Sequence, residues 1–298
     1  MSDVQFYIRG DNTLQKEKVM AEGLIKWSCQ SAMAKPFNKL LFKSAFLSNV
    51  LGKYFSSSLS KGKIKSTIKD LDIQMSDFIE PESGYKHFND FFTRHINKDC
   101  RPFDNSKNTL ISPADGRVLV FPELKGDTLV HVKGCKYSVD QLLNRDAKEY
   151  HNGALAVIRL CPADYHRFHF PCEGNILETV DINGAYYSVN PIVLEQGMNV
   201  FCENKRAYTI IDNPELGKVC YMEVGAFGVG SIKNTYKGNT VTKMQEKGYF
   251  EFGGSTVVLV FEPNKIKFSQ DLIEHSKQGY ETFLKVGETM GITGESDV

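Results

Sequence analysis

The chain has 298 residues, 41% of them hydrophobic, and its 36 basic and 36 acidic side chains cancel. A chain of this length buries roughly three quarters of its unfolded surface; zero net charge gives no global attraction to nucleic acid and confines any affinity for an anionic surface to local patches. Seven cysteines, an odd set without a repeating framework in a chain too large to need staples, point to reduced thiols in a cytosolic setting.

The N-terminus Met1-Ser2-Asp3-Val4-Gln5 lacks a basic leader followed by an apolar stretch, and no window reaches the roughly 18–20 apolar residues that span a bilayer. Residues 14–55 are expected to be mostly helical, in two pieces, because Pro36 removes a backbone donor from a continuous helix. In the second piece Phe37, Leu40, Leu41, Leu47, Val50, Leu51, Tyr54 and Phe55 recur at helical spacing, which suits either a core-facing or a membrane-facing stripe. From Lys35 to Lys69 there are eight lysines and no acidic residue. At about 1 kcal/mol per basic side chain near an anionic leaflet, such a segment supports reversible docking rather than permanent anchoring.

Residues 61–105 read as a connecting region with short helical pieces near 68–78 and 88–95. Arg94 and Arg101 are candidates either for solvated surface charges or for bridges from this helical part to the chain downstream of it. From about Thr109 the periodicity changes, and strands are expected at 118–121, 128–132, 154–160, 176–182, 199–202, 207–211, 219–224 and 256–261, punctuated by Gly, Pro, Asn and Asp. A short helix at 269–278 and a strand at 283–286 close the chain. The expected class is therefore α+β: a helical, lysine-rich, membrane-associating part over 1–105, then a mostly antiparallel β-domain over 106–298 that is sandwich-like or barrel-like.

Within that domain Gly253-Gly254-Ser255-Thr256 opens the apolar run Val257-Val258-Leu259-Val260-Phe261. Two glycines before a serine make a tight turn, and they also leave the Gly254 carbonyl unshielded against the Ser255 hydroxyl. Further upstream stand Phe91-Phe92-Thr93-Arg94, Arg101-Pro102, Ser112-Pro113-Ala114-Asp115-Gly116, Asp164-Tyr165-His166-Arg167-Phe168-His169-Phe170-Pro171-Cys172 and Val224-Gly225-Ala226-Phe227-Gly228-Val229-Gly230-Ser231-Ile232. In identity, order and spacing these segments resemble the phosphatidylserine decarboxylase family over roughly residues 70–290. The chain departs from the usual Leu-Gly-Ser-Thr cleavage motif by having Gly253 in place of leucine, which leaves the Gly-Ser bond intact.

The resemblance implies a self-processing lyase. Asp115 would orient His169, and His169 would activate Ser255 to attack the Gly254 carbonyl; the ester would eliminate to dehydroalanine and hydrolyse to a covalent pyruvoyl group and ammonia. That group would accept the electrons left by decarboxylation, which no ordinary side chain can delocalise. His166 is the candidate for handling the substrate carboxylate or returning a proton. Taken alone, Asp115 reads as a turn residue and the two histidines as ordinary strand or core residues. The implied substrate is phosphatidylserine and the product phosphatidylethanolamine, made at the cytoplasmic face of the cell membrane by a peripheral enzyme whose large and small chains stay together; a homo-oligomer is compatible with this. A soluble amino acid as substrate, a non-enzymatic β-module on a membrane-binding arm, and a zinc hydrolase using Cys161, His166, His169 and Cys172 are the alternatives. The spacing of those four is wrong for a paired-ligand zinc site, so no metal is expected.

Overall fold

The apolar run after Ser255 becomes an interior strand of a ten-stranded sheet in the computed structural model. The structure describes residues 5–11, 13–17, 45–125, 130–132, 135–185, 200–225, 232–253 and 255–294. The strands of this sheet are β1 (Gln5–Ile8), β2 (Thr13–Lys16), β3 (Gly116–Phe121), β4 (Ala154–Leu160), β5 (Gly174–Ile182), β6 (Arg206–Asn213), β7 (Gly217–Gly225), β8 (Thr240–Val241), β9 (Ser255–Phe261) and β10 (Glu281–Leu284). Their spatial order is β8-β5-β6-β7-β9-β4-β3-β10-β1-β2. Every pairing is antiparallel except β10 with β1, where Phe6 lies beside Glu281.

After Ser255 and Thr256, strand β9 is apolar from Val257 to Phe261 because both faces of the sheet are covered. Val257, Leu259 and Phe261 enter one cluster with Ile158, Phe168, Phe250 and Leu272. Val258 and Val260 enter the other with Leu142, Tyr150, Val157 and Met222. Each such side chain contributes about 1.5–3 kcal/mol by leaving water, so β9 anchors the domain.

The α-helices described upstream of β3 are α1 (Ala45–Phe55), α2 (Lys63–Leu71) and α3 (Phe88–Phe92). Ile64, Thr67 and Leu71 bury one face of α2, and Asp72 closes it in the left-handed region at φ 55°. Ile64, Leu71, Ile73, Tyr85, Phe88, Phe91 and Phe92 form a third cluster, against which Phe55, Ala163 and Phe252 pack. The helical part thus rests on the loops that flank the sheet's centre.

Three expectations are corrected. Among the described residues the sheet is open: β2 and β8 each have one neighbour in it, so it is no closed barrel. The N-terminal part is not simply helical either. Strands β1 and β2 pair antiparallel and extend the sheet, since Phe6 buries against Phe283 and Tyr7 stacks on His275 at 3.8 Å, which draws β1 onto β10. The first helical piece and the start of the second, 18–44, lie outside the described residues. The segment expected as a strand near 199–202 is in part a short helix, Val200–Glu203.

Candidate active site

Ser255 is the first residue of β9, facing Gly225 of β7 and Leu160 of β4, and is fully buried. At the end of β4 the chain turns through residues 161–164, closed by the Asp164 amide donating to the Cys161 carbonyl at 2.8 Å. The turn delivers His166 to Ser255: its Nδ1 lies 3.0 Å from Ser255 Oγ and its Nε2 lies 2.9 Å from the Cys161 carbonyl oxygen. A carbonyl only accepts, so Nε2 carries the hydrogen, and Nδ1 is left to accept from the Ser255 hydroxyl. Burial, aided by the nearby Arg94 charge, depresses His166 to about 3. It is therefore a neutral base across the physiological range, aimed at the one hydroxyl the sequence singles out.

The other two expected members are close by but otherwise engaged. His169 follows a bulge in the strand Arg167–His169; its Nε2 lies 3.1 Å from the Tyr165 hydroxyl and its Nδ1 2.9 Å from the Met244 carbonyl oxygen. Burial lowers its pKa too. The Asp115 carboxylate accepts from Arg101 Nη2 at 3.0 Å and from the Val286 amide at 2.7 Å. The two are linked through backbone, His169 N donating to the Pro113 carbonyl at 2.8 Å. The structure thus brings together Ser255 and His166, while both nitrogens of His169 and both oxygens of Asp115 are spent on other groups. Gly254 lies outside the described residues.

A buried ionic network underlies this end of the sheet. Arg159 pairs with Glu17 at 2.5 Å and Glu281 at 2.6 Å, Arg117 bonds Asp164, and the Asp164 carboxylate accepts the Cys161 amide at 2.6 Å. Burial opposes the charge on Glu17, but Arg159 and Arg117 hold its carboxyl down to about 2. These pairs hold the 161–166 turn, and with it the Cys161 carbonyl that fixes the His166 tautomer.

Both arginines of the upstream motifs are bridges. Arg101 joins Asp115 and Asp77, and Arg94, 1% exposed, donates to the carbonyls of Ala163 and Asp164. Sequence reasoning missed Asn89, Tyr165 and the Glu17–Arg159–Glu281 set. Asn89 and Tyr165 stand inside or beside recognised segments, but nothing local marks Glu17, whose partner is more than a hundred positions away.

Comparison with known proteins is consistent with this geometry. A family model described as phosphatidylserine decarboxylase matches residues 88–292. Phosphatidylserine decarboxylase proenzyme of Clostridium botulinum is 45% identical over 292 residues, covering 97% of this chain and 99% of its own. The proenzymes of Clostridium tetani and Clostridium kluyveri are 43% and 42% identical, each over 97% of this chain and over 98% and 99% of their own.

Proposed function

The chain belongs to the phosphatidylserine decarboxylase family, and from that premise we propose that it is a precursor that cuts itself between Gly254 and Ser255 and then converts phosphatidylserine to phosphatidylethanolamine and carbon dioxide. The observation that carries the self-cleavage is the 3.0 Å contact of Ser255 Oγ with the neutral His166 Nδ1 inside a closed site.

In this reading the Ser255 hydroxyl proton passes to His166 as Oγ bonds to the Gly254 carbonyl carbon. The Gly254–Ser255 C–N bond breaks, the proton moves from His166 to the departing amine, and an ester joins Gly254 to Ser255 Oγ. Removal of the Ser255 α-hydrogen with rupture of Cβ–Oγ expels the Gly254 carboxylate; water then replaces the nitrogen, which leaves as ammonia. The residues fit the resulting pyruvoyl group, which keeps the three carbons of Ser255 and adds no bulk to a slot that is fully closed around it. Once formed, the group supplies the electron-accepting carbonyl that decarboxylation needs. His169 and Asp115 stay in the proposed site: His169, coupled to Tyr165, is a second neutral imidazole on the strand that follows the turn, and Asp115 with Arg101 fixes the loop against which His169 is bonded.

Within residues 1–105, the lysine-rich stretch 35–69 is assigned to peripheral docking on the cytoplasmic face of the cell membrane, while β1 and β2 extend the sheet of the catalytic part, 106–298. The exposed Leu59 beside Lys53, Lys61, Lys63 and Lys65 supports this, and among the described residues no helix is long and apolar enough to cross a bilayer. Intact mass and denaturing electrophoresis test the proposal: two chains are expected, the small one 298 − 255 + 1 = 44 residues long and blocked by a ketone, with carbon dioxide released from phosphatidylserine vesicles. A single unbroken chain in folded protein, or splitting of a Ser255→Ala variant at this bond, refutes it.

A further inference from the structure

The short segment 88–94, Phe-Asn-Asp-Phe-Phe-Thr-Arg, touches both the base of the proposed cleavage, His166, and Phe252, two residues before the scissile bond. Helix α3 is capped by His87, whose ring accepts from the Asp90 amide at 3.0 Å. Asn89 and Phe92 then fall on one face, three residues apart. Asn89 is buried, and its Oδ1 accepts the amide of Phe252 at 2.9 Å, two residues before the scissile bond. The Phe252 ring sits among Phe55, Phe88 and Phe92, with centroids at 4.2, 5.0 and 5.1 Å. On the other side Phe92 stacks against the His166 ring at 3.8 Å and 22°, and Arg94 holds the carbonyls of Ala163 and Asp164 at 2.7 and 3.0 Å. One segment therefore grips the turn that carries the base and the backbone that leads into the carbonyl under attack.

Gly253 and Gly254 have no side chains with which packing could fix them, and glycine loses more conformational freedom on ordering than any other residue. The last side-chain anchor upstream of the scissile bond is Phe252, held by its ring and by its amide. We propose that Asn89 is a positioning residue for self-cleavage: by accepting the Phe252 amide it aims the Gly254 carbonyl at Ser255. The inference rests on the reading of Ser255 as nucleophile and adds the group that presents the electrophile.

The test tracks fresh precursor, made by brief cell-free synthesis, on denaturing gels over time. Asn89→Leu keeps the size and removes the acceptor; with cooperative thermal unfolding retained, it is expected to split about 10- to 100-fold more slowly, the cost of a misplacement near 1 Å. Asn89→Asp, which still accepts from the Phe252 amide, is expected to restore the wild-type rate. A purely structural role predicts no such rescue. Should Asn89→Leu fail to fold, Asn89→Ser, polar but too short to reach the amide, takes its place with the same slowing expected. Wild-type rates in Asn89→Leu or Asn89→Ser, or equal slowing in those and Asn89→Asp, overturn the inference. A wild-type precursor that never splits removes instead the reading on which it rests.

Discussion

If His166 takes the Ser255 proton, self-cleavage should be nearly indifferent to pH where an ordinary histidine would switch off. With burial and Arg94 depressing His166 to about 3, about 99% of it stays neutral at pH 5, against about 3% for a solvent-like imidazole of pKa near 6.5. The two cases differ about 30-fold in competent base, and a general base is worth about 10²- to 10⁴-fold in rate. Precursor from brief cell-free synthesis, shifted into buffers between about pH 5 and pH 8 and sampled on denaturing gels, reads the difference directly. A flat profile is expected for the wild type, and His166→Asn, whose side chain cannot take the proton, should split at least 100-fold more slowly, the low end of that range. A roughly 30-fold fall on going from pH 8 to pH 5, centred near 6.5, refutes the neutral buried base. Wild-type splitting in His166→Asn would hand the role to His169.

The same contacts set three further outcomes. Arg159→Met leaves Glu17 and Glu281 as buried carboxylates without their shared cation, which should cost about 3–5 kcal/mol in urea unfolding of the Ser255→Ala precursor; a loss under about 1 kcal/mol would show that the network is dispensable. Phe92→Ala opens a cavity against His166 and the third cluster, for an expected loss of about 3–5 kcal/mol in the same assay, and unchanged stability would contradict the packing described. Acid should weaken the fold before carboxylates alone would. His166 is lowered on folding, so the unfolded chain binds its proton first, and its contribution, on the order of 5 kcal/mol, is complete above about pH 6.5 and lost as pH falls toward about 3. Glu17, lowered from 4.5 to about 2, adds a second loss in that lower range. Stability that stays constant from pH 6.5 to pH 4 in the Ser255→Ala precursor would contradict the buried neutral histidine.

The sheet was legible where burial is two-sided and short-range. Val257–Phe261 reads as an interior strand because each residue is apolar, and the structure covers both of its faces. Gln5–Ile8 was illegible for the opposite reason: four residues carry little periodicity, and their partner β10 lies at the far end of the chain. At the site, the motifs located Ser255, His166, His169 and Asp115. Which imidazole meets the serine depended on a turn at 161–164 and a bulge between Phe168 and His169, neither of which strand periodicity encodes. Asn89 was hidden because a helix of five residues, three of them phenylalanine, looks like plain core, and its function lies in one backbone amide 163 positions away.

Strand β9 is flanked on one side by β7 and on the other by β4, both upstream of the Gly254–Ser255 bond. Severing that bond consequently creates a new chain end amid ladder hydrogen bonds on either hand, where a polypeptide is least free to fray. A terminus is ordinarily the loosest part of a protein; under the proposed cleavage this one would inherit the stiffness of a sheet interior, and the reactive carbonyl proposed to form there would be held as firmly as any internal residue.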